Sequence, residues 1–113
     1  MPLVVVNRNP ERVSDENIRN LVLALTAVAA EQLSSDEMAL GPGDIEIWVQ
    51  DFGPLDVHTK DLEIIIWAHD FPSRRANLDE RTARIAARVK ELAGADISGF
   101  VWILLQPTGF KPF

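Results

Sequence analysis

Two stretches of helical periodicity alternate with four apolar, strand-like runs along this chain. PLVVVNRN is a β-branched run of the kind a buried strand uses. Ile18, Leu21, Val22, Leu25, Val28, Ala29 and Leu33 then recur at helical spacing, which predicts a helix over SDENIRNLVLALTAVAAEQLSS. Ser14 is placed to cap it, and Asp15 and Glu16 occupy the first turn, where acids favour the helix dipole. EMALGPGD interrupts the pattern with glycine and proline and predicts a loop. DIEIWVQDF alternates, with Ile45, Ile47 and Val49 on one face and Glu46, Trp48, Gln50 and Phe52 on the other. GPLDVHTK predicts a second loop. DLEIIIWAHDF predicts a strand that is apolar on both sides at its centre, so cover on both faces is expected. PSRRA reads as a turn. Asn77 and Glu80 have the spacing of a capping box. The helix they open carries Leu78, Thr82, Ile85, Val89 and Leu92 as its stripe, and Gly94 suits the position just past its end. GFVWILLQP predicts the last strand, and TGFKPF a short aromatic tail.

The order is β-α-β followed by β-α-β. NPERVSDE and FPSRRANLDE each run from a strand end through proline and arginine into a helix, offset by about 60 residues. The expectation is one α+β domain over residues 1–113, with half-repeats at about 1–58 and 59–113. Right-handed crossovers then give a four-stranded mixed sheet with both helices on one face. The helix-free face carries some of Trp48, Phe52, Trp67, Phe100 and Trp102. That is too much aromatic surface to leave wet, so this face is expected to bury itself in a homo-oligomer.

Composition narrows the function. With 11 Lys and Arg against 17 Asp and Glu, the net charge is -6, which repels phosphate backbones; nucleic-acid binding is not expected. No cysteine is present, which excludes disulfides, thiolate nucleophiles and cysteine-held zinc. His58 and His69 make no recognisable metal spacing, so no metal site is expected. No run approaches a membrane span, and the N-terminus lacks the pattern of a signal peptide, so a cytoplasmic protein with no membrane partner is expected.

MPLVVV raises a chemical question. Pro2 either punctuates the start of a strand or, once Met1 is removed, presents a secondary amine. Such an amine, kept dry and neutral, suits removal of a proton next to a carbonyl. Arg74 and Arg75 lie on the turn before the second helix. They either hold a carboxylate or pair on the surface with Asp70, Asp79 or Glu80. Arg12 occupies the equivalent turn of the first half and is a further candidate for holding an anion. His69, at a strand end, either donates to a substrate oxygen or is structural. Phe52 and Phe110 each sit beside a glycine near a loop and are candidates for an apolar pocket wall.

Several strings resemble the tautomerase superfamily in its long form, where one chain carries two β-α-β units. MPLVVV resembles that family's proline-led first strand. RVSDENIRNLV is similar to the helix start of 4-oxalocrotonate tautomerase. PSRRANLDER resembles the arginine turn of malonate semialdehyde decarboxylase and its dehalogenase relatives. GPGDIEIWVQ is similar to the decarboxylase stretch that carries a catalytic aspartate, with Asp44 at that place. LQPTGFK looks like the tail of 5-carboxymethyl-2-hydroxymuconate isomerase. The resemblance implies a homotrimer without a cofactor, acting on a small anionic substrate. Pro2 would be the base, Arg74 or Arg75 the carboxylate holder, and Arg12, His69, Phe52 and Phe110 further substrate contacts. Asp44 would serve an alternative decarboxylase or hydratase chemistry; taken by itself it reads as a turn aspartate. Glu46 departs from the pattern, since a substrate-binding arginine stands there in 4-oxalocrotonate tautomerase. A ligand-binding or purely oligomeric module is the third reading.

Overall fold

The first strand, β1 (Leu3–Arg8), runs through the middle of the molecule. Its even positions Val4 and Val6 are fully buried and its odd positions only half so. In the computed structural model, which describes Met1–Phe113, the helix α1 (Asp15–Leu33) follows. Ser14 caps it as expected, its Oγ accepting the Asn17 N–H at 3.1 Å. The stripe of Ile18, Leu21, Leu25, Ala29 and Leu33 is buried. A single 3₁₀ turn at Pro42–Asp44 leads into β2 (Glu46–Asp51), and β3 (Leu62–His69) comes next. The segment expected as a turn at 72–76 is a five-residue helix, α2 (Pro72–Ala76), with Pro72 in its first turn, where the missing N–H costs nothing. The second long helix, α3 (Leu78–Ala93), leads to β4 (Gly99–Gln106).

The strand order is β2-β1-β3-β4. β1 pairs parallel with β2, β3 pairs parallel with β4, and β1 meets β3 antiparallel at the centre. Each half is thus a right-handed β-α-β unit, and the two lie back to back. α1 and α3 pack together over one face of the sheet, on Val4, Val6, Ile64, Ile66 and Ile103. Each such aliphatic side chain contributes about 1.5–3 kcal/mol when fully buried.

Within the chain, the helices cover one face of β3: Leu62, Ile64, Ile66 and Ala68 are buried, while Glu63, Ile65 and Trp67 face the open side. Two-sided apolarity here marks a strand with one face on the core and one on an uncovered aromatic surface. Asn77 does not cap α3 with its side chain. Its Oδ1 instead accepts from Arg81 Nε at 2.6 Å. Gly94 does end α3, with φ of 106°, a left-handed geometry that glycine adopts without strain.

The open face has a clear grain. Cross-strand register aligns Trp48, Val5, Ile65 and Trp102 in one row, and Leu3, Trp67 and Leu104 in the next. Trp48 and Trp102 are each about half exposed, at 50% and 54%. Phe52 lies just beyond the end of β2, where its N–H donates to the Arg8 carbonyl at 2.9 Å.

Candidate active site

Because β1 is antiparallel to β3, and β3 parallel to β4, the start of β1 meets the ends of β3 and β4. Leu3 is opposite Trp67, and His69 is opposite Gln106. Three stretches of chain therefore converge at one end of the sheet: Met1–Pro2, the segment from His69 into α2, and the tail after Gln106. A cleft of about 680 Å³ lies between them. Pro2 is buried in its lining, beside His69, Phe71, Arg74 and Phe110. Met38 and Trp67 complete its apolar walls. No acidic residue lines it. A second groove, of about 370 Å³ between α3 and β4, is mainly aliphatic and offers only Lys90 and Ser98 as polar side chains.

Arg74 is the one charged side chain of the cleft, and it is 2% exposed. Its Nε donates to the Leu33 carbonyl at 2.7 Å and its Nη1 to the His69 carbonyl at 3.0 Å. The guanidinium carbon stands 4.9 Å from the centre of the Phe71 ring. Nη2 is buried with no partner, and no carboxylate lies within ion-pair distance of this group. Burial first, and the charge of Arg81 second, push its pKa below the ordinary arginine value; Glu37 offsets part of this. A guanidinium remains cationic through such a shift. The cleft lining therefore includes a cation with no ion-pair partner, and its unpartnered Nη2 is buried within the protein.

His69 is fixed by its neighbours. Nδ1 accepts the Thr108 N–H at 3.2 Å, which assigns the ring proton to Nε2. Its ring centre is 4.4 Å from that of Phe71. The same contact, with the Asp70 N–H on the Gln106 carbonyl at 3.0 Å, ties the tail to the end of β3. Phe110 is thereby set at the mouth of the cleft, 61% exposed. On the other wall, Ser73 Oγ donates to Glu37 Oε1 at 2.5 Å, and the Asp36 N–H donates to Ser73 Oγ at 3.2 Å. These contacts hold the loop bearing Met38 against α2.

The structure thus brings Pro2, Arg74, His69 and Phe110 together. The other sequence candidates lie elsewhere in the chain. Arg75 points away into an ion pair with Asp70, Nε to Oδ1 2.9 Å. Asp44 precedes β2 at the outer edge, where its Oδ2 accepts the Gly41 N–H at 2.8 Å. Arg12 and Phe52 are at the opposite end of the sheet, roughly 20 Å away along a six-residue strand. There Arg12 donates to the Asp96 carbonyl at 2.9 Å and faces Asp61 at 3.5 Å. The Phe52 N–H donates to the Arg8 carbonyl at 2.9 Å.

Sequence reasoning had not singled out Phe71, Met38 or Trp67 as parts of a pocket. Phe71 carried a signal, as the apolar residue directly before the Pro72 helix start. Met38 carried none, sitting in a loop that reads only as punctuation. The buried arginines Arg8 and Arg81 were missed as well, though the pattern carried a signal for each. Arg8 extends the alternation of Val4 and Val6, and Arg81 falls between Leu78 and Ile85 on the apolar stripe of α3.

No protein-family model matches this sequence, and no curated protein does. Solved structures do match. Malonate semialdehyde decarboxylase superposes with a TM-score of 0.67 at 12% identity, over 93% of this chain and 84% of that one. A fused 4-OT, an asymmetric trimer, gives 0.66 at 12% identity, over 93% and 86%. A macrophage migration inhibitory factor-like protein from Entamoeba histolytica gives 0.62 at 11% identity, over 97% and 95%. The chain has the tautomerase-like α+β fold in nearly its full length, and the resemblance read from the sequence holds at the level of fold.

Proposed function

We propose that this protein is a cofactor-free tautomerase acting on small enol or 2-oxo carboxylic acids, with Pro2 as its general base after removal of Met1. The observation that carries this reading is a buried Pro2 lining the same cleft as Arg74, a cation with no ion-pair partner. The freed secondary amine takes the proton of the enol hydroxyl. The O–H bond breaks, the carbonyl forms, and the C=C electron pair bonds to the proton that the ammonium returns to carbon. Arg74 holds the carboxylate and stabilises charge as the enolate develops. The His69 Nε2–H is a second donor for the same oxygen. Apolar walls from Trp67, Phe71 and Phe110 keep the amine neutral.

Decarboxylase and hydratase activities are named for the malonate semialdehyde decarboxylase structure. They are the alternative here, and the absence of any carboxylate in the cleft lining favours isomerisation over water activation. The homotrimer belongs to the same reading. It is supported by the uncovered rows of Trp48, Trp67 and Trp102 and by the trimeric 4-OT of like fold.

The test is conversion of phenylenolpyruvate to its keto form, followed by ultraviolet absorbance. It uses protein whose N-terminal proline has been verified by mass spectrometry. Pro2→Ala is expected to lower kcat/KM by at least about a hundredfold. Equal rates for the two proteins remove Pro2 from the chemistry.

A further inference from the structure

The cleft offers one cation, several large apolar side chains and a few neutral polar ones. Arg74 supplies the charge, and Arg75, the only other arginine on α2, is held outside by Asp70. Met38, Trp67, Phe71 and Phe110 are its large apolar side chains, His69, Gln106 and Thr108 its neutral polar ones, and Phe110 stands at the mouth on an exposed tail. A carboxylate that entered beside Arg74 would meet the field of the one charged side chain in the lining, which has no ion-pair partner. A second carboxylate at the far end of the same ligand would find only the neutral donors His69, Gln106 and Thr108 and no second cation. Burying an unpaired charge is costly, and sites reject such ligands strongly. The long-range field acts the same way, since a chain of net charge -6 repels a dianion more than a monoanion.

From this we infer that the cleft selects monocarboxylates bearing a flat apolar group and rejects dicarboxylates, with Phe110 as the residue that sets the choice. The aromatic group of the ligand lies against Phe110 and Trp67 while its carboxylate meets Arg74. The inference rests on the proline chemistry above for turnover, and on the cleft alone for binding.

Binding of two unreactive probes separates those parts. Cinnamate carries one carboxylate, and 4-carboxycinnamate carries a second at the far end of the same flat frame. Both are titrated calorimetrically into the mature protein at fixed ionic strength. Cinnamate is expected to bind at least about tenfold more tightly. Phe110→Arg places a second cation at the mouth. Because Phe110 is exposed on the tail, this variant keeps the fold, and it is expected to reverse the preference. Equal affinities in the parent protein, a preference for the dicarboxylate, no binding of either probe, or an unchanged preference in Phe110→Arg each overturn the inference. Selective binding of cinnamate together with enol conversion unaffected by Pro2→Ala leaves the ligand class standing and sinks the proline mechanism instead.

Discussion

Arg81 shows how much one side chain does here away from any ligand. The last turn of α1 contains no basic residue, so its terminal carbonyls lack a nearby cation of their own. Arg81 Nη1 donates to the carbonyls of Gln32 at 2.6 Å and Ser34 at 2.7 Å, and Arg74 takes that of Leu33. Nε of Arg81 donates to Asn77 Oδ1, the side chain that makes no cap bond to α3. Arg81→Ala leaves buried carbonyls unpaired and is expected to destabilise the fold by about 2–4 kcal/mol in urea unfolding. Arg81→Lys is expected to recover little of this, because an ammonium lacks the planar fork that reaches several acceptors at once.

Elements are held in register by a few close approaches. At the start of β4, a Cβ on Gly99 would lie 2.1 Å from the Leu62 carbonyl oxygen. β3 and β4 approach this closely only because Gly99 has no side chain. Gly99→Ala is expected to cost about 2–4 kcal/mol and to lower Tm in a thermal scan by several degrees. Two carboxylates tie elements together and set the acid limb of stability. Glu37 is held below its ordinary value of 4.5, first by the Ser73 hydroxyl. Asp61 is held below 3.8, first by the Ser98 N–H. A depressed carboxylate contributes stability above its unfolded pKa, and that contribution is lost as pH falls through the folded one. Parent protein is therefore expected to weaken below about pH 4.5, with Glu37→Gln showing a shallower acid limb in pH-dependent urea midpoints. A limb of unchanged slope would show that Ser73 and Glu37 add nothing to the hold of the loop on α2.

At the scale of the whole molecule, the two β-α-β halves solve only one of two burial problems. Their helices cover one face of the sheet and leave Trp48, Val5, Ile65 and Trp102 in a row on the other. In the proposed trimer that row is the contact. Trp102→Glu puts an unpaired charge into it and is expected to yield monomers by sedimentation, with unchanged helical circular dichroism. An assembly that persists in this variant would place the contact elsewhere.

Local chemistry along the chain was sufficient for the strands, both long helices, the Ser14 cap and the Gly94 stop. Each depends on neighbours a few residues apart, through periodicity, hydroxyl capping or glycine's left-handed freedom. The sequence by itself also marked Pro2, Arg74, His69 and Phe110 as candidates, because proline, arginine, histidine and aromatic residues advertise their chemistry. It could not separate Arg74 from Arg75, or place Arg12, Asp44 and Phe52 outside the cleft. Adjacent arginines have the same local signature. Only the packing of α2 against the end of α1 turns one inward onto backbone carbonyls and leaves the other to Asp70. The antiparallel meeting of β1 and β3 is likewise a long-range pairing, and it alone decides which strand ends share a cleft with Pro2.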